Sequence, residues 1–293
     1  MLSEGRLVAL PTETVYGLAA RADSESAVAA IYCAKGRPDF NPLIVHVSSL
    51  AAAEAIAVFD EGAQRLAAAF WPGPLTLVLP LRADAGIAPA VTAGLPTIAL
   101  RCPAHPVMRE VLSLAGVPLA APSANRSGGV SPTTAAHVAA SLGAAVDLIL
   151  DGGPCTAGIE STIVAVRVQG WSLLRPGPII RAQVAEVMGE SDDVTASNSG
   201  IEAPGQLASH YAPGKPVRLG VTKAEADEFH IGFGAVPGDV SLSASGDCAE
   251  AAARLYACLH LAAAAPQRRI AIAPVPDEGI GAAINDRLRR AAV

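Results

Sequence analysis

The stretch Leu10–His46, LPTETVYGLAARADSESAVAAIYCAKGRPDFNPLIVH, decides the fold because it concentrates polar side chains between apolar segments. Gly17 and Gly36 allow backbone turns that a side chain would hinder. Lys35 and Arg37 lie on a turn that should end a helix, where they are well placed to bind a polyanion such as a phosphate. The structural alternative is that TETVYG is a tight loop satisfying its own backbone, and that the two cations cap a helix C-terminus.

The composition is that of a globular protein with a sizeable core. Of 293 residues, 51% are hydrophobic and 16% charged, with a net charge of −6 and a pI near 5.5. No apolar run reaches the about 18 residues of a membrane span, and no signal peptide is apparent, so we expect a cytoplasmic protein without membrane contact. Five scattered cysteines without a CxxC pair favour reduced thiols over disulfides or a metal site.

Strand and helix patterns alternate irregularly through residues 1–188. Arg6–Leu10 and Leu43–Val47 have the composition of strands, and His46 falls on or beside the second. Ser24–Lys35 and Ala51–Val58 have helical patterns. This order predicts an α/β (α+β) fold with a mixed sheet and flanking helices, not a strictly parallel sheet.

The composition changes after Met188. Residues 189–214 begin with a polar, glycine-rich stretch and are predicted to be a linker. Residues 215–293 alternate short strands with helices at Cys248–Ala264 and Ile280–Arg290, which predicts a small second α/β domain. The polar groups of this second domain converge on no site that can be identified from the sequence.

Three further segments carry candidate functional groups. APSANRSGGVSPT at 121–133 places serines around glycines directly after a strand, so it could hold an anion, although an ordinary serine-rich turn is the alternative. GIESTIV at 158–164 and LLRPGPI at 173–179 contribute Ser161 and Arg175. Arg175 and Arg101, each at a strand end, could equally be solvated surface residues. The chain has no GxGxxG, GxxxxGK[ST], HExxH or GxSxG motif.

Taken together, these segments resemble the YrdC-like family. Eight of them occur in that family's order and approximate spacing: PTETVYGLAA, KGRPDFNPLIVHV, WPGPLTLVLP, TIALRCPAHP, APSANRSGGVSPT, DGG, GIESTIV and LLRPGPI. HYAPGKPV, followed by the second α/β module, is similar to the family's longer, two-domain form. The match runs over nearly the whole chain.

The resemblance implies a YrdC-like twisted mixed sheet with flanking helices and a large concave cavity, plus a small C-terminal α/β domain. It also implies an activity. L-Threonine and bicarbonate would form a carbamate that attacks the α-phosphorus of ATP, with Mg²⁺ accompanying the ATP, and give threonylcarbamoyl-AMP and pyrophosphate. A partner enzyme, a tRNA threonylcarbamoyltransferase, would then modify an adenosine beside the anticodon of certain tRNAs.

The same resemblance assigns residues to two ligands. ATP would be bound by Lys35, Arg37, Asn41, Thr97, Ser123, Ser131, Arg175 and Tyr211, the last of these closing over the nucleotide from the linker. L-Threonine would be held by Thr14, His46, Arg101, the backbone at Ala121, and Ser161. Lys35 and Arg37 would act as catalytic groups by orienting ATP and neutralising phosphate charge. His46 is expected to contact threonine, in preference to acting as a base.

Two alternatives use the same fold. The first is a carbamoyl-transferring or carbamoyl-hydrolysing enzyme of hydrogenase maturation, which the lack of a CxxC motif disfavours. The second is a double-stranded RNA-binding protein, which the acidic balance and the lack of aromatic-plus-basic clusters disfavour. The acidic balance still allows a local basic patch, so a weak RNA contact stays open.

Overall fold

A computed structural model describes residues 1–190, 202–205 and 210–293 of the chain. Its strands are β1 (Val8–Leu10), β2 (Gly17–Arg21), β3 (Ile44–His46), β4 (Leu75–Pro80), β5 (Thr97–Arg101), β6 (Leu119–Ala120), β7 (Leu148–Ile149), β8 (Thr162–Arg167), β9 (Gly170–Arg175), β10 (Val217–Leu219), β11 (Glu228–Gly232), β12 (Val240–Ser241) and β13 (Arg269–Ile272). Its α-helices are α1 (Glu25–Lys35), α2 (Leu50–Glu54), α3 (Glu61–Phe70), α4 (Pro106–Ala115), α5 (Ala135–Leu142), α6 (Arg181–Met188), α7 (Cys248–Ala264) and α8 (Ile280–Ala291). None of these helices is long and apolar enough to cross a membrane.

The larger sheet is mixed, as the sequence predicts. Within the described residues, its nine strands lie in the order β7-β1-β2-β6-β3-β5-β4-β8-β9. The pairs β1/β7, β3/β5 and β4/β8 are parallel, and the other neighbours are antiparallel. The helices α1, α3 and α6 cover one face of it, where most of the core lies.

The opposite face of the central strands is also apolar, and we call it the sheet floor. It consists of Ile44, Val78, Ala99, Ile163, Ala165 and Leu174. Ala203 of the predicted linker packs against it and is fully buried. Because side chains alternate along a strand, Thr97 and Arg101 of β5 point to the same side of the sheet as Ala99.

Three elements differ from the sequence-based expectations. Strand β2, which has no β-branched residue, is a strand because β1 and β6 both pair with it. Helix α2 ends at Glu54 and not near Val58, because Ala57 leaves the helix to pair with Leu81. Helix α6, which packs on α3 and β9, was not predicted. Most of the predicted linker falls on residues 191–201 and 206–209, outside the described residues, so its bounds stay a prediction.

The C-terminal domain has its own sheet. Four described strands lie in the order β10-β13-β11-β12 and all pair in parallel. Helix α7 has the predicted bounds, because Asp247 caps its first turn by accepting hydrogen bonds from the N–H groups of Ala249 and Glu250. Helix α8 packs on α7.

One apolar cluster extends across both domains. Val15, Val130 and Ile159 of the first domain belong to the same buried cluster as the helices of the second. The rings of His137 on α5 and His260 on α7 stack with centroids 3.9 Å apart. The interface between the domains is therefore buried and apolar, and a residue of the C-terminal domain can contact the first domain directly.

Gly158 permits the close approach of α7, and this can be tested. It has a φ of +70°, and a Cβ there would clash with the backbone of Ala252 and Ala253. Gly94 has a φ of +79° with no atom near such a Cβ, so it is a matched control for backbone strain alone. We expect Gly158→Ala to lower the free energy of unfolding by about 1–3 kcal/mol more than Gly94→Ala, measured by urea denaturation. Equal losses would show that the contact with α7 has no energetic importance.

Candidate functional site

A cavity opens where the ends of β1, β3, β5 and β9 meet the serine-rich loop, which we define as residues 121–131. The space between its walls is about 570 Å³, including the part open to solvent. Nine of the residues predicted to bind ligands line it: Thr14, Arg37, His46, Arg101, Ala121, Ser123, Ser161, Arg175 and Tyr211. The structure therefore brings together members of both predicted ligand sets.

The predicted threonine half centres on Arg101. His46 and Arg101 are register partners in β3 and β5, so their side chains lie next to each other. Arg101 donates to Thr14 Oγ1 at 2.8 Å and to the Gly73 carbonyl at 3.2 Å, and its Nη2 lies 2.7 Å from Glu13 Oε1. Arg101 is buried, so the alternative of a solvated surface arginine is wrong.

Glu13 is a site residue that sequence reasoning missed. Burial raises the pKa of its carboxyl group, but the charge of Arg101 and the hydrogen bonds from Arg101 and the Ala104 N–H outweigh burial and lower it. Glu13 is therefore ionised at neutral pH and orients Arg101. Its place within TETVYG was the only signal, because nothing in the sequence pairs it with a residue 88 positions away.

The structural alternative for TETVYG, a tight loop that satisfies its own backbone, is also partly correct. Thr12 Oγ1 donates to the Val15 carbonyl at 2.7 Å and accepts from the Thr14 N–H at 3.1 Å. The loop thus satisfies part of its own backbone. The same hydrogen bonds hold Thr14 where it meets Arg101, so the structural and functional readings are compatible.

His46 is neutral in the folded chain. Burial and the charge of Arg101 lower its pKa to about 3. Its Nδ1 is buried and has no hydrogen-bond partner among the described residues. A neutral imidazole with a spare nitrogen can donate or accept one hydrogen bond to a ligand, which is consistent with the predicted contact role.

The predicted phosphate half contains Arg37 and Arg175. Arg37 donates to the Asn41 carbonyl at 3.1 Å, to Asn41 Oδ1 at 2.7 Å and to the Pro42 carbonyl at 2.7 Å. Burial lowers its pKa to about 10, so it keeps its charge at neutral pH. Asn41 lies outside the cavity wall, and in this structure it positions Arg37.

Lys35 also lies behind the wall. Its Nζ donates to the carbonyl oxygens of Ser123 and Asn125, and its own carbonyl accepts from the Ser127 N–H at 2.9 Å. Burial and the charge of Arg37 lower the pKa of Lys35 well below its ordinary value. Gly36, not the Lys35 side chain, caps helix α1. Lys35 thus holds the serine-rich loop against α1.

Arg175 joins the two halves of the cavity. It donates to the Ser161 carbonyl at 3.0 Å, to Ser161 Oγ at 3.1 Å and to the Pro204 carbonyl at 3.3 Å. Ser161 Oγ in turn shares a hydrogen bond of 2.7 Å with Thr76 Oγ1. Arg175 is buried, so here too the surface alternative is wrong.

Two other predicted residues lie off the cavity wall. Ser131 is fully buried and donates to Glu160 Oε1 at 2.6 Å. Thr97 begins β5, at the end of the strand opposite Arg101. Their predicted contacts with ATP stay predictions.

Tyr211 lines the cavity together with two residues that the sequence did not single out, His210 and Glu160. Burial lowers the pKa of His210 to about 4, which leaves the ring neutral at pH 7. Glu160 was not predicted as a site residue, although it directly precedes Ser161 in GIESTIV. Its partners Tyr256 and Arg287 belong to the C-terminal domain, and no spacing rule connects them in sequence.

The donor set does not fit a resident magnesium ion. Mg²⁺ prefers carboxylate and water oxygens, but Glu160, the carboxylate that lines the cavity, is paired with Arg287, and nearby Glu13 is paired with Arg101. The described residues also contain no cluster of three or more histidine, cysteine or acidic side chains that could hold a metal ion.

Comparison with known proteins identifies the class. The chain belongs to the Sua5/YciO/YrdC family, whose model, described as "Telomere recombination", matches residues 1–177. Residues 179–293 match the Sua5 C-terminal model, described as "Threonylcarbamoyl-AMP synthase, C-terminal domain". The chain thus has the two-domain Sua5 arrangement, which confirms the resemblance seen in the sequence.

Curated relatives carry one name. The chain is 45% identical over 223 residues to the threonylcarbamoyl-AMP synthase of Bacillus subtilis, covering 75% of this chain and 64% of the relative. It is 46% identical over 222 residues to that of Pyrococcus abyssi, covering 74% of this chain and 64% of the relative. The chain therefore spans about 64% of the length of these two relatives.

Solved structures agree with the fold. P. abyssi Sua5 complexed with L-threonine aligns with a TM-score of 0.90 at 36% identity, over 99% of this chain and 92% of that one. A variant of that protein with adjacent histidine and tyrosine residues both replaced by alanine aligns with a TM-score of 0.87 at 34% identity, over 99% and 90%. Full-length HypF, at 18% identity and a TM-score of 0.54, covering 61% of this chain and 29% of that one, shares the fold alone.

The neutrality of His46 can be measured by NMR. We expect its ring to stay unprotonated from pH 8 to pH 5, because its pKa is lowered to about 3. Comparison of wild type with His46→Gln identifies its ring signal. An inflection of that signal between pH 5 and 8 would contradict the burial argument.

The same shift predicts the direction of a stability change. The unfolded chain protonates His46 near pH 6.5 and the folded chain only near pH 3, so the unfolded state binds more protons between these values. The free energy of unfolding should therefore fall as the pH drops from 6.5 towards 4. His46→Gln should show a smaller fall than wild type in urea denaturation at pH 7 and pH 4.5. An equal fall would contradict the assignment.

Proposed function

We propose that this chain is a threonylcarbamoyl-AMP synthase that uses L-threonine, bicarbonate and ATP. One observation carries the proposal: a single cavity is lined by Arg37, Ser123 and Arg175 together with Thr14 and Arg101. The first group suits a polyphosphate and the second suits a small amino acid. The curated names of the relatives and the threonine complex of P. abyssi Sua5 support the same assignment.

The chemistry needs no nucleophile from the protein. The threonine amine and bicarbonate condense to a carbamate with loss of water. A carbamate oxygen then forms a bond to the α-phosphorus of ATP, the bond from that phosphorus to the bridging oxygen of the β-phosphate breaks, and pyrophosphate leaves with the electron pair. The protein contributes orientation and neutralisation of phosphate charge, and positioning of this kind can lower a barrier by about 7–11 kcal/mol.

Arg37 and Arg175 are suited to that task because neither needs to move far. Their hydrogen bonds to Asn41, Pro42 and Ser161 hold the guanidinium groups in place before a ligand binds. Preorganised cations of this kind stabilise charge that develops on phosphate oxygens. Lys35 contacts the Ser123 carbonyl from behind the cavity wall. We propose that it contributes to catalysis by holding the serine-rich loop in position for ATP.

We propose that Mg²⁺ enters as part of the ATP complex, since the cavity carboxylates are already paired. The product would pass to a tRNA threonylcarbamoyltransferase, and the reaction would take place in the cytoplasm. The RNA-binding alternative is weaker, because the chain carries a net charge of −6 and two of its cavity cations, Arg101 and Arg175, are buried. A weak RNA contact stays a prediction.

Product analysis tests the proposal directly. The purified chain, incubated with ATP, L-threonine, bicarbonate and Mg²⁺, should form threonylcarbamoyl-AMP, detected by mass spectrometry, together with pyrophosphate. Leaving out threonine or bicarbonate should abolish the product, because both supply atoms of the carbamate. ATP turnover without this product would refute the assignment. A salt-sensitive shift of double-stranded RNA without ATP turnover would favour the RNA-binding alternative.

Substitution of the predicted phosphate ligands tests the placement of ATP. Arg37→Met should reduce pyrophosphate release at least about a hundredfold, as loss of a charge-stabilising donor does in other enzymes. Lys35→Ala should also inactivate the enzyme, because it releases the serine-rich loop. Arg65→Met, on the exposed side of α3, is the matched control and should retain activity. Full turnover by folded Arg37→Met and Lys35→Ala would show that the phosphate site lies elsewhere.

A further inference from the structure

The C-terminal domain places one arginine directly behind Glu160, a residue of the cavity wall. Arg287 lies on α8 and is completely buried. It donates through Nε to Glu160 Oε2 at 2.9 Å and through Nη1 to Asp286 Oδ2 at 2.7 Å. Its Nη2 is buried and has no hydrogen-bond partner among the described residues. Arginine is almost never fully buried unless it is paired. The residues that Arg287 contacts therefore indicate why it is buried.

Glu160 is the partner, and it forms part of the cavity wall directly before Ser161. Its Oε1 accepts from Ser131 at 2.6 Å, and its Oε2 accepts from Tyr256 at 2.8 Å as well as from Arg287. Burial raises the pKa of Glu160, but the charges of Arg287 and Arg175 and these hydrogen bonds outweigh burial and lower it to about 2. The wall therefore carries a full negative charge where a phosphate is expected to bind.

Tyr211 meets the same arginine. The Arg287 guanidinium lies 5.5 Å from the centroid of the Tyr211 ring, and the Tyr256 ring lies 5.6 Å from it. Tyr211 has a φ of +65°, a costly conformation for a residue other than glycine. Hydrogen bonds fix the backbone on both sides of Tyr211: the His210 N–H donates to the Arg290 carbonyl, and the Ala212 N–H donates to the Gly128 carbonyl.

We propose that Arg287 is a positioning residue for ATP: it neutralises the Glu160 carboxylate at the cavity wall and holds Tyr211 over the cavity. The C-terminal domain would thereby supply the direct ion-pair partner of Glu160, in addition to the charge of Arg175 from the first domain. This inference rests on the proposed function in that it takes the ligand of the cavity to be ATP. It gives the second domain a role in the first domain's site.

A physical consequence separates this role from simple domain adhesion. With Arg287 removed, Glu160 would face the phosphates of ATP without its ion-pair partner in a partly desolvated cavity, where charges interact strongly, and Arg175 would offset its charge only in part. ATP binding should then weaken much more than threonine binding, since threonine has no net charge and, apart from Ser161, its predicted ligands lie around Arg101. If the carboxylate is removed as well, the need for Arg287 should largely disappear.

The test compares Arg287→Met, Arg287→Lys, Glu160→Gln and the double variant Glu160→Gln/Arg287→Met in the full chain. Arg289→Met is the matched control, because Arg289 lies on the same helix with an exposed side chain. ATP and threonine affinities are measured separately by calorimetry, KM and kcat by pyrophosphate release, and folding by thermal unfolding.

We expect Arg287→Met to weaken ATP binding at least about tenfold, because the Glu160 charge then lacks its ion-pair partner. Its threonine affinity should change less than about threefold, since no contact to the predicted threonine ligands is lost. Arg287→Lys should recover part of the loss. Glu160→Gln should bind ATP at least as well as wild type. The double variant should bind ATP within about threefold of Glu160→Gln, because the removed pair no longer interacts.

Two results would overturn the inference: unchanged ATP affinity in folded Arg287→Met, or a double variant that binds ATP as weakly as Arg287→Met. If Arg287→Met does not fold, the comparison of Glu160→Gln with the double variant decides alone. A wild-type chain that binds ATP but makes no threonylcarbamoyl-AMP would refute the proposed function and leave this inference standing. A wild-type chain that does not bind ATP would overturn both.

Discussion

Burial of positive charge is the constraint on which the cavity depends. Lys35, Arg101 and Arg175 are buried and Arg37 is partly buried, which is costly for a charge unless polar partners replace the lost hydration. Each finds a different kind of partner: loop carbonyls for Lys35, an asparagine for Arg37, a carboxylate for Arg101, and a serine at a strand start for Arg175. These partners hold the cations in position before any ligand arrives, so their arrangement is preorganised.

The local folds around the cavity follow from these pairings. The TETVYG loop presents Glu13 and Thr14 to Arg101, and Lys35 draws the serine-rich loop towards α1. Both loops lie at strand ends, where backbone groups are free of the sheet ladder. The sheet provides the rigid support, since His46 and Arg101 are register partners on adjacent strands. A rigid sheet with polar loops at its edge is the usual way to hold several side chains in a fixed geometry.

The sequence predicted local features well and long-range pairs poorly. Helix α7 has the predicted bounds because Asp247 and an alanine-rich pattern act locally, whereas β2 depends on neighbouring strands and carries little strand propensity of its own. The resemblance to the family assigned Thr14, Arg37 and Arg175 to ligands, and the structure places all three in the cavity wall. It did not indicate that Lys35 and Asn41 lie behind the wall, or that Glu160 meets Arg287, because those facts depend on packing between segments far apart in the chain.

The apolar cluster that joins the domains has a consequence for how the molecule behaves as a body. Val15, Val130 and Ile159 are covered by the helices of the second domain, so separating the two domains would expose apolar surface on both. A backbone cut between the domains would therefore leave a nicked but associated heterodimer. Heating should melt the two halves in one transition, since unfolding of either half would expose the apolar surface that it covers on the other.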